Sequence, residues 1–172
     1  MDLQTLANLA QIIGAAAVVA AIVFGIAQIR QFRLQRQAEA AAELVRSFQD
    51  SDFTRSFRLV SALPKNASAA ELRAGGPAME DAGLALGIRY EPVGLLVFRG
   101  IMPLSLVEQL IGAVSIELWS KMRAWVEEVR EEQSRPHFLE WFQWLAEQLE
   151  KRGRRQQKPA YLGYRNWRPP AE

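Results

Sequence analysis

The chain has 172 residues, 49% of them hydrophobic, with 21 Lys and Arg against 19 Asp and Glu and no cysteine. The lack of cysteine excludes disulfides, thiolate catalysis and cysteine-ligated metals, and a lone histidine, His137, removes most metal and acid–base schemes. The length suits one anchor and one domain of about 100 residues with a modest core.

Residues 1–5 read as a short extracytoplasmic N-terminus and residues 6–29 as a transmembrane helix. No residue between Asp2 and Arg30 is charged, and the segment 6–29 holds eleven Leu, Ile, Val or Phe and eight Ala. As a helix it is about 36 Å long, enough for a hydrocarbon core of about 30 Å with some tilt. Large apolar residues near the centre contribute about −0.3 to −0.6 kcal/mol each, so insertion is favourable by a few kcal/mol. A cleaved signal peptide puts its positive charge before the apolar core. Here Asp2 precedes the core and Arg30, Arg33 and Arg36 follow it. That distribution predicts a span with its N-terminus outside and its C-terminus in the cytoplasm, with the three arginines at the headgroups; the resemblance given below implies that the membrane is the bacterial inner membrane. Ala7, Ala10, Gly14, Ala17, Ala21 and Gly25 recur at spacings of three and four, a small-residue stripe of the kind that lets a second helix approach closely in a bilayer.

The helical pattern runs on through residues 30–49, a juxtamembrane amphipathic stalk with Leu34, Ala38, Ala41, Val45 and Phe48 on one face. Asp50, Ser51 and Asp52 then suit a helix cap and open a helical domain over residues 50–151. Its first helix carries Phe53, Phe57 and Val60 and ends before Pro64. Residues 64–77 read as a loop with one short turn, because Ser68 and Glu71 have capping-box spacing. From 78 to 99 the pattern is helical, with Leu84, Ile88, Leu95 and Phe98 as predicted core and Pro92 predicted to kink or divide the helix. Gly100 ends it. Pro103 opens a short helix to about Ile111, and Gly112 separates that from a long helix near 114–133 with Leu118, Met122, Trp125 and Val129 inward. A last helix from about Pro136 carries Phe138, Phe142, Leu145 and Leu149, with Trp141 and Trp144 towards its flank. Nothing alternates with period two. The fold class is all-α, a single N-terminal transmembrane helix continuing into a cytoplasmic helical bundle.

The residues assemble no chemistry. The paired carboxylates Glu39/Glu43, Glu127/Glu128 and Glu131/Glu132 lie opposite apolar stripes, where solvated surface is the expected role rather than paired acid and base. Glu91 sits among apolar residues, and an ion pair with Arg89, Arg99 or Arg123 is expected. No phosphate-cradling glycine loop and no serine nucleophile motif is present. The chain is read as no enzyme, with no cofactor and no metal. Trp119, Trp125, Trp141, Phe142 and Trp144 are expected to fill the core and its edge, with Trp141 and Trp144 as candidates for partner or lipid contact.

Residues 152–172 form a basic aromatic tail. Residues 151–172 hold seven Lys or Arg and one acid. Arg154, Arg155, Lys158, Arg165 and Arg168 alternate with Tyr161, Tyr164 and Trp167, a composition that fits anionic headgroups and would also fit nucleic acid. The anchor favours lipid or an adjoining protein, and nucleic acid is the lesser alternative.

Three segments together resemble a bacterial family of single-span membrane proteins known only by a domain of unknown function. They are the anchor LANLAQIIGAAAVVAAIVFGIAQIRQ, the segment YEPVGLLVFRGIM marked by Tyr90, Glu91, Gly94 and Gly100, and the pair ELWSKMRAWVEEVR and FLEWFQWLAEQL. The likeness extends to about Lys151, and Pro92 departs from it where a helix-compatible aromatic is usual. It implies topology and fold, and no catalytic residues. The expected function is that of a membrane-anchored accessory or scaffold protein whose partners are the bilayer and another membrane protein or a second copy of itself. A membrane-tethered regulator or nucleic-acid binder using the tail is the alternative.

Overall fold

The computed structural model describes residues 3–153 and 159–169, without the side chains of residues 3, 5–10 and 12. In chain order the helices are α1 (Leu3–Ser47), α2 (Ser51–Ser61), α3 (Ala69–Ala74), α4 (Pro77–Phe98), α5 (Leu104–Glu132), α6 (Glu140–Lys151) and α7 (Ala160–Gly163), with no strand among the described residues. The fold is all-α. The chain divides into two compact units, Met1–Ala42 and Glu43–Glu172.

In the first unit α1 runs unbroken and exposes its apolar side chains. Ile13, Val18, Val23, Phe24 and Ile26 are each about 60% or more exposed, and Leu34 and Ala38 of the predicted stalk face are also exposed.

The second unit is organised around α4, which packs against α2 and α6, while α5 covers α6, α2 and α3. At the end of α1 the buried residue is Leu44; Val45, predicted to face inward, is 40% exposed. The Asp50 side chain accepts the Asp52 N–H at 3.1 Å and so caps α2. Arg89 donates to the Ser47 carbonyl and pairs with Asp50 at 3.1 Å, which ties the end of α1 to the start of α2. A cation beside the last carbonyls of a helix also complements its dipole. The capping box forms as its spacing predicts: Ser68 Oγ accepts the Glu71 N–H, and Glu71 accepts the Ser68 N–H at 2.7 Å.

Sequence expectation and structure part in α4. Its buried face is Ala82, Gly83, Leu86, Gly87, Tyr90, Val93, Gly94 and Val97. Leu84, Ile88 and Phe98, predicted to be core, are 39%, 58% and 56% exposed, and Leu95 is half-buried. The inward face interleaves Gly83, Gly87 and Gly94 with Leu86, Tyr90, Val93 and Val97, and the glycines let neighbouring helices approach closely, so bulk alone does not separate the inward face from the outward one. Pro92 does not divide the helix. It is exposed, so water can serve the carbonyl of Ile88 that its missing N–H leaves unpaired.

Helix α5 likewise continues through Gly112, which is buried. A glycine inside a helix costs only about 1 kcal/mol relative to alanine, less than burying Val107, Ile111 and Ile116 around it returns. Leu118, Met122, Trp125 and Val129 face the core as the heptad-like spacing predicts. Helix α6 begins at Glu140 rather than near Pro136, because Ser134 and Leu139 adopt left-handed φ values of 52° and reverse the chain. Arg130 holds that reversal. It donates to the Phe138 carbonyl at 2.8 Å and to Gln143 at 2.6 Å.

Candidate functional site

The segment from Tyr90 to Gly100 acts as a cradle for α6. Helix α6 opens at Leu139 with no side-chain cap of its own, so its first N–H groups need acceptors from elsewhere. Glu91 supplies them. Its carboxylate accepts the backbone N–H of Trp141 at 3.2 Å and of Phe142 at 2.9 Å. This replaces the ion pair with Arg89, Arg99 or Arg123 expected from sequence: a helix N-terminus offers an anion paired donors and a favourable dipole, and no guanidinium is needed. One turn on, Gly94 lies under the Trp141 backbone, where a Cβ would overlap the Trp141 carbonyl. A Cβ at Gly87 would overlap the Leu139 side chain. Tyr90 is fully buried and stacks on Phe142, ring centroids 4.7 Å apart. Its hydroxyl faces Ser115, whose own hydroxyl is donated to the Ile111 carbonyl at 2.8 Å. Burial pushes the Tyr90 phenol above its ordinary value.

What the cradle leaves at the surface is aromatic. Trp141 and Trp144 are half-buried, and the exposed Phe98 ring packs on both, at 4.8 Å and 5.7 Å between centroids. Ile101, 51% exposed, follows Phe98 at the same end of α4. Trp119 and Trp125 are core, 4% exposed each. Thus the two tryptophans singled out for partner or lipid contact stand together at the edge of the domain, joined by a phenylalanine that the sequence reading placed in the core.

In the tail, Tyr161, Tyr164 and Trp167 are 76%, 69% and 66% exposed. Tyr164 and Trp167 border an open groove that also holds Glu108 and Arg152. Glu108 is buried, and its Oε2 pairs with Arg152 at 3.0 Å while Oε1 is unpartnered. Arg154, Arg155 and Lys158 lie outside the described residues.

On α1, Arg30, Arg33 and Arg36 are exposed, with Arg36 over the Phe32 ring at 4.6 Å. Of the small-residue stripe, Gly14, Ala17 and Ala21 are exposed and Gly25 is partly so. The side chain of Ala10 lies outside the described residues, as does that of Ala7.

Several of the carboxylates build the fold. Glu128 accepts the Ala69 N–H at 2.7 Å and caps α3. Glu132 and Glu80 share Arg73, Glu127 pairs with Arg123, Glu43 with Arg46, and Glu140 with His137. No three His, Asp or Glu converge on a cation site among the described residues.

Sequence reasoning missed two things. The first is the glycine face of α4; Gly83, Gly87 and Gly94, at spacings of four and seven, carried that signal. The second is the segment after Pro64. Asn66 and Ala67 donate to the carbonyls of Ser120 and Lys121 at 2.8 Å and 2.9 Å, and Trp125 N–H donates to Ala67 at 3.0 Å. Lys121 also donates its ammonium to the Leu63 carbonyl. Nothing in the local sequence announces that pairing.

Residues 10–149 match the domain of unknown function DUF4760. The chain belongs to that family. The match takes in the apolar helix from residue 10 and every helix through most of α6, and it ends before the basic tail. The Glu91–Gly94 cradle and its aromatic edge therefore lie within the DUF4760 region, and Tyr161, Tyr164 and Trp167 beyond it. No curated protein and no solved structure matches the chain.

Proposed function

We propose that this DUF4760 chain is a membrane-anchored accessory or scaffold protein of the bacterial inner membrane, N-terminus outside, whose cytoplasmic helical domain binds a partner protein. It is read as having no catalytic role. One observation carries the reading. Ile13–Ser47 holds a window of mean hydropathy 2.0 with none of it buried, which makes it long and apolar enough to cross a membrane. Left in water, each such large side chain forgoes about 1.5–3 kcal/mol of burial, whereas a bilayer accepts them all round. Arg30, Arg33 and Arg36 after the apolar run, against Asp2 before it, support the orientation. The Phe98, Trp141 and Trp144 cluster supports the binding role, because tryptophans at a domain edge are favoured anchors for a protein partner.

The test is to express the full chain in bacteria, wash the membranes with alkaline carbonate, and expose inverted vesicles to protease. The protein is expected to stay with the membranes and its helical domain to be digested. A full chain that stays soluble and monodisperse without detergent overturns the anchor, and a domain protected in inverted vesicles overturns the orientation.

A further inference from the structure

Helix α4 turns Ala82, Leu86, Tyr90, Val93 and Val97 to the core and leaves the opposite face to solvent. Along that face, at spacings of four and three, come Asp81, Ala85, Ile88, Pro92, Leu95 and Arg99, the period of a coiled-coil seam. Leu84 lies beside them. Ile88 is 58% exposed, and Ala85 and Pro92 are exposed as well. Between Asp81 and Arg99 the seam carries no charge. Both end residues are exposed, and neither joins an ion pair among the described residues.

The order of residues along the seam reads as its own complement. If two such helices lie antiparallel with their two-fold axis between Ile88 and Pro92, Ile88 of one copy meets Pro92 of the other. Ala85 then meets Leu95, small against large. At each end, about 27 Å apart along the axis, Asp81 meets Arg99. Every apolar residue finds an apolar one, and each unpaired charge finds its opposite. A two-fold interface needs this self-complementarity, because both copies offer the same patch. A bilayer surface or an unrelated protein gives no reason for opposite charges to close the two ends in register.

We propose that a second copy of this chain docks on this face, α4 against α4 antiparallel, with Asp81 of each copy against Arg99 of the other. The proposal deepens the scaffold reading and rests on its partner-binding half. It is tested by subunit mass, which is blind to where the chain partitions, so its failure and the failure of the membrane reading are told apart.

The experiment takes the full chain in mild detergent, with protein mass from light scattering over a dilution series and melting by circular dichroism as a check on folding. The wild type is expected to be a dimer and Ile88→Asp a monomer that keeps its helical content and still melts cooperatively, at the temperature that the wild type approaches on dilution. Asp81→Arg and Arg99→Asp, taken singly, each set like charges together twice and are expected to weaken the dimer about tenfold or more. The double variant Asp81→Arg/Arg99→Asp restores the pairing and is expected to recover most of the loss. A monomeric wild type overturns the proposal. So does a dimer that survives both single reversals, which would place the contact in the apolar N-terminal helix, or a double variant no tighter than the singles.

Discussion

A Cβ added at Gly14 or Gly25 of α1 would meet nothing within 4 Å beyond the adjoining helix backbone, whereas at Gly87 or Gly94 of α4 it would strike Leu139 or Trp141. Both helices are rich in Ala, Val, Ile and Leu around those glycines, and local propensity does not separate them. What separates them is what reaches them from elsewhere in the chain. Glu91 and Arg130 fix the start of α6 and the turn before it, and so hold α6 against the glycine face of α4. In α1 the glycines face open space. The lesson is that a glycine on an apolar helix face offers a close approach, and polar groups outside that helix decide whether a neighbour takes it.

The sharpest way to break this comparison is to add the same bulk to both helices. Gly94→Val must push the Trp141 backbone away, and overpacking against backbone is expected to lower the stability of the helical domain by about 3 kcal/mol. Gly25→Val is expected to leave the domain's melting unchanged. Thermal melts of the full chain in detergent measure both, and equal losses would erase the distinction drawn between the two helices.

A smaller change sharpens it. Glu91→Ala strips two N–H groups at the start of α6 of their acceptor and is expected to cost about 1–3 kcal/mol. Glu91→Gln keeps one acceptor oxygen and is expected to fall between. Trp141 fluorescence, isolated by replacing the other tryptophans with phenylalanine, should report a looser α6 start in the alanine variant. A wild-type melt for Glu91→Ala would show that α6 is held by packing alone.

The smallest effect is the acid dependence of the caps. Asp50 is held below its ordinary 3.8 chiefly by the Asp52 N–H and then by Arg89, and Glu71 below its ordinary 4.5 by the Ser68 N–H. A carboxyl with a lowered folded value stabilises the fold above its unfolded value, and that contribution is lost as the pH falls through the lowered one. Melting is thus expected to drop on acidification across that window. Asp50→Asn, which still caps a helix but does not titrate, is expected to flatten part of the slope. An unchanged slope would remove Asp50 from the account.

Much of the helical domain was legible from pattern. The caps at Asp50 and Ser68, the inward face of α5 and the core residues Phe142, Leu145 and Leu149 follow from spacing and local chemistry. The face of α4 was not, because periodicity ranks positions by bulk, and this helix buries Gly83, Gly87 and Gly94 and exposes Leu84 and Ile88. The boundary at Gly112 failed for a related reason: a modest local cost is outweighed by packing that only the assembled domain supplies. At the candidate site, the flank positions of Trp141 and Trp144 could be read from spacing. The Phe98 ring between them could not, since its exposure follows from the unread face of α4. Glu91 stood out in sequence as a partly buried acid, but its partners are backbone groups some fifty residues on, and backbone donors leave no residue-type signature.

Lys121 and Trp125 stand four apart in α5, the separation at which a helix pairs its own carbonyl and N–H, yet Ala67 bonds to both. The middle of the longest helix in the second unit is thus completed by a segment made about fifty residues earlier. A peptide covering only residues 104–132 lacks that segment, so its Trp125 N–H is expected to close on the Lys121 carbonyl and the helix to run on regularly where Ala67 intervenes in the whole chain.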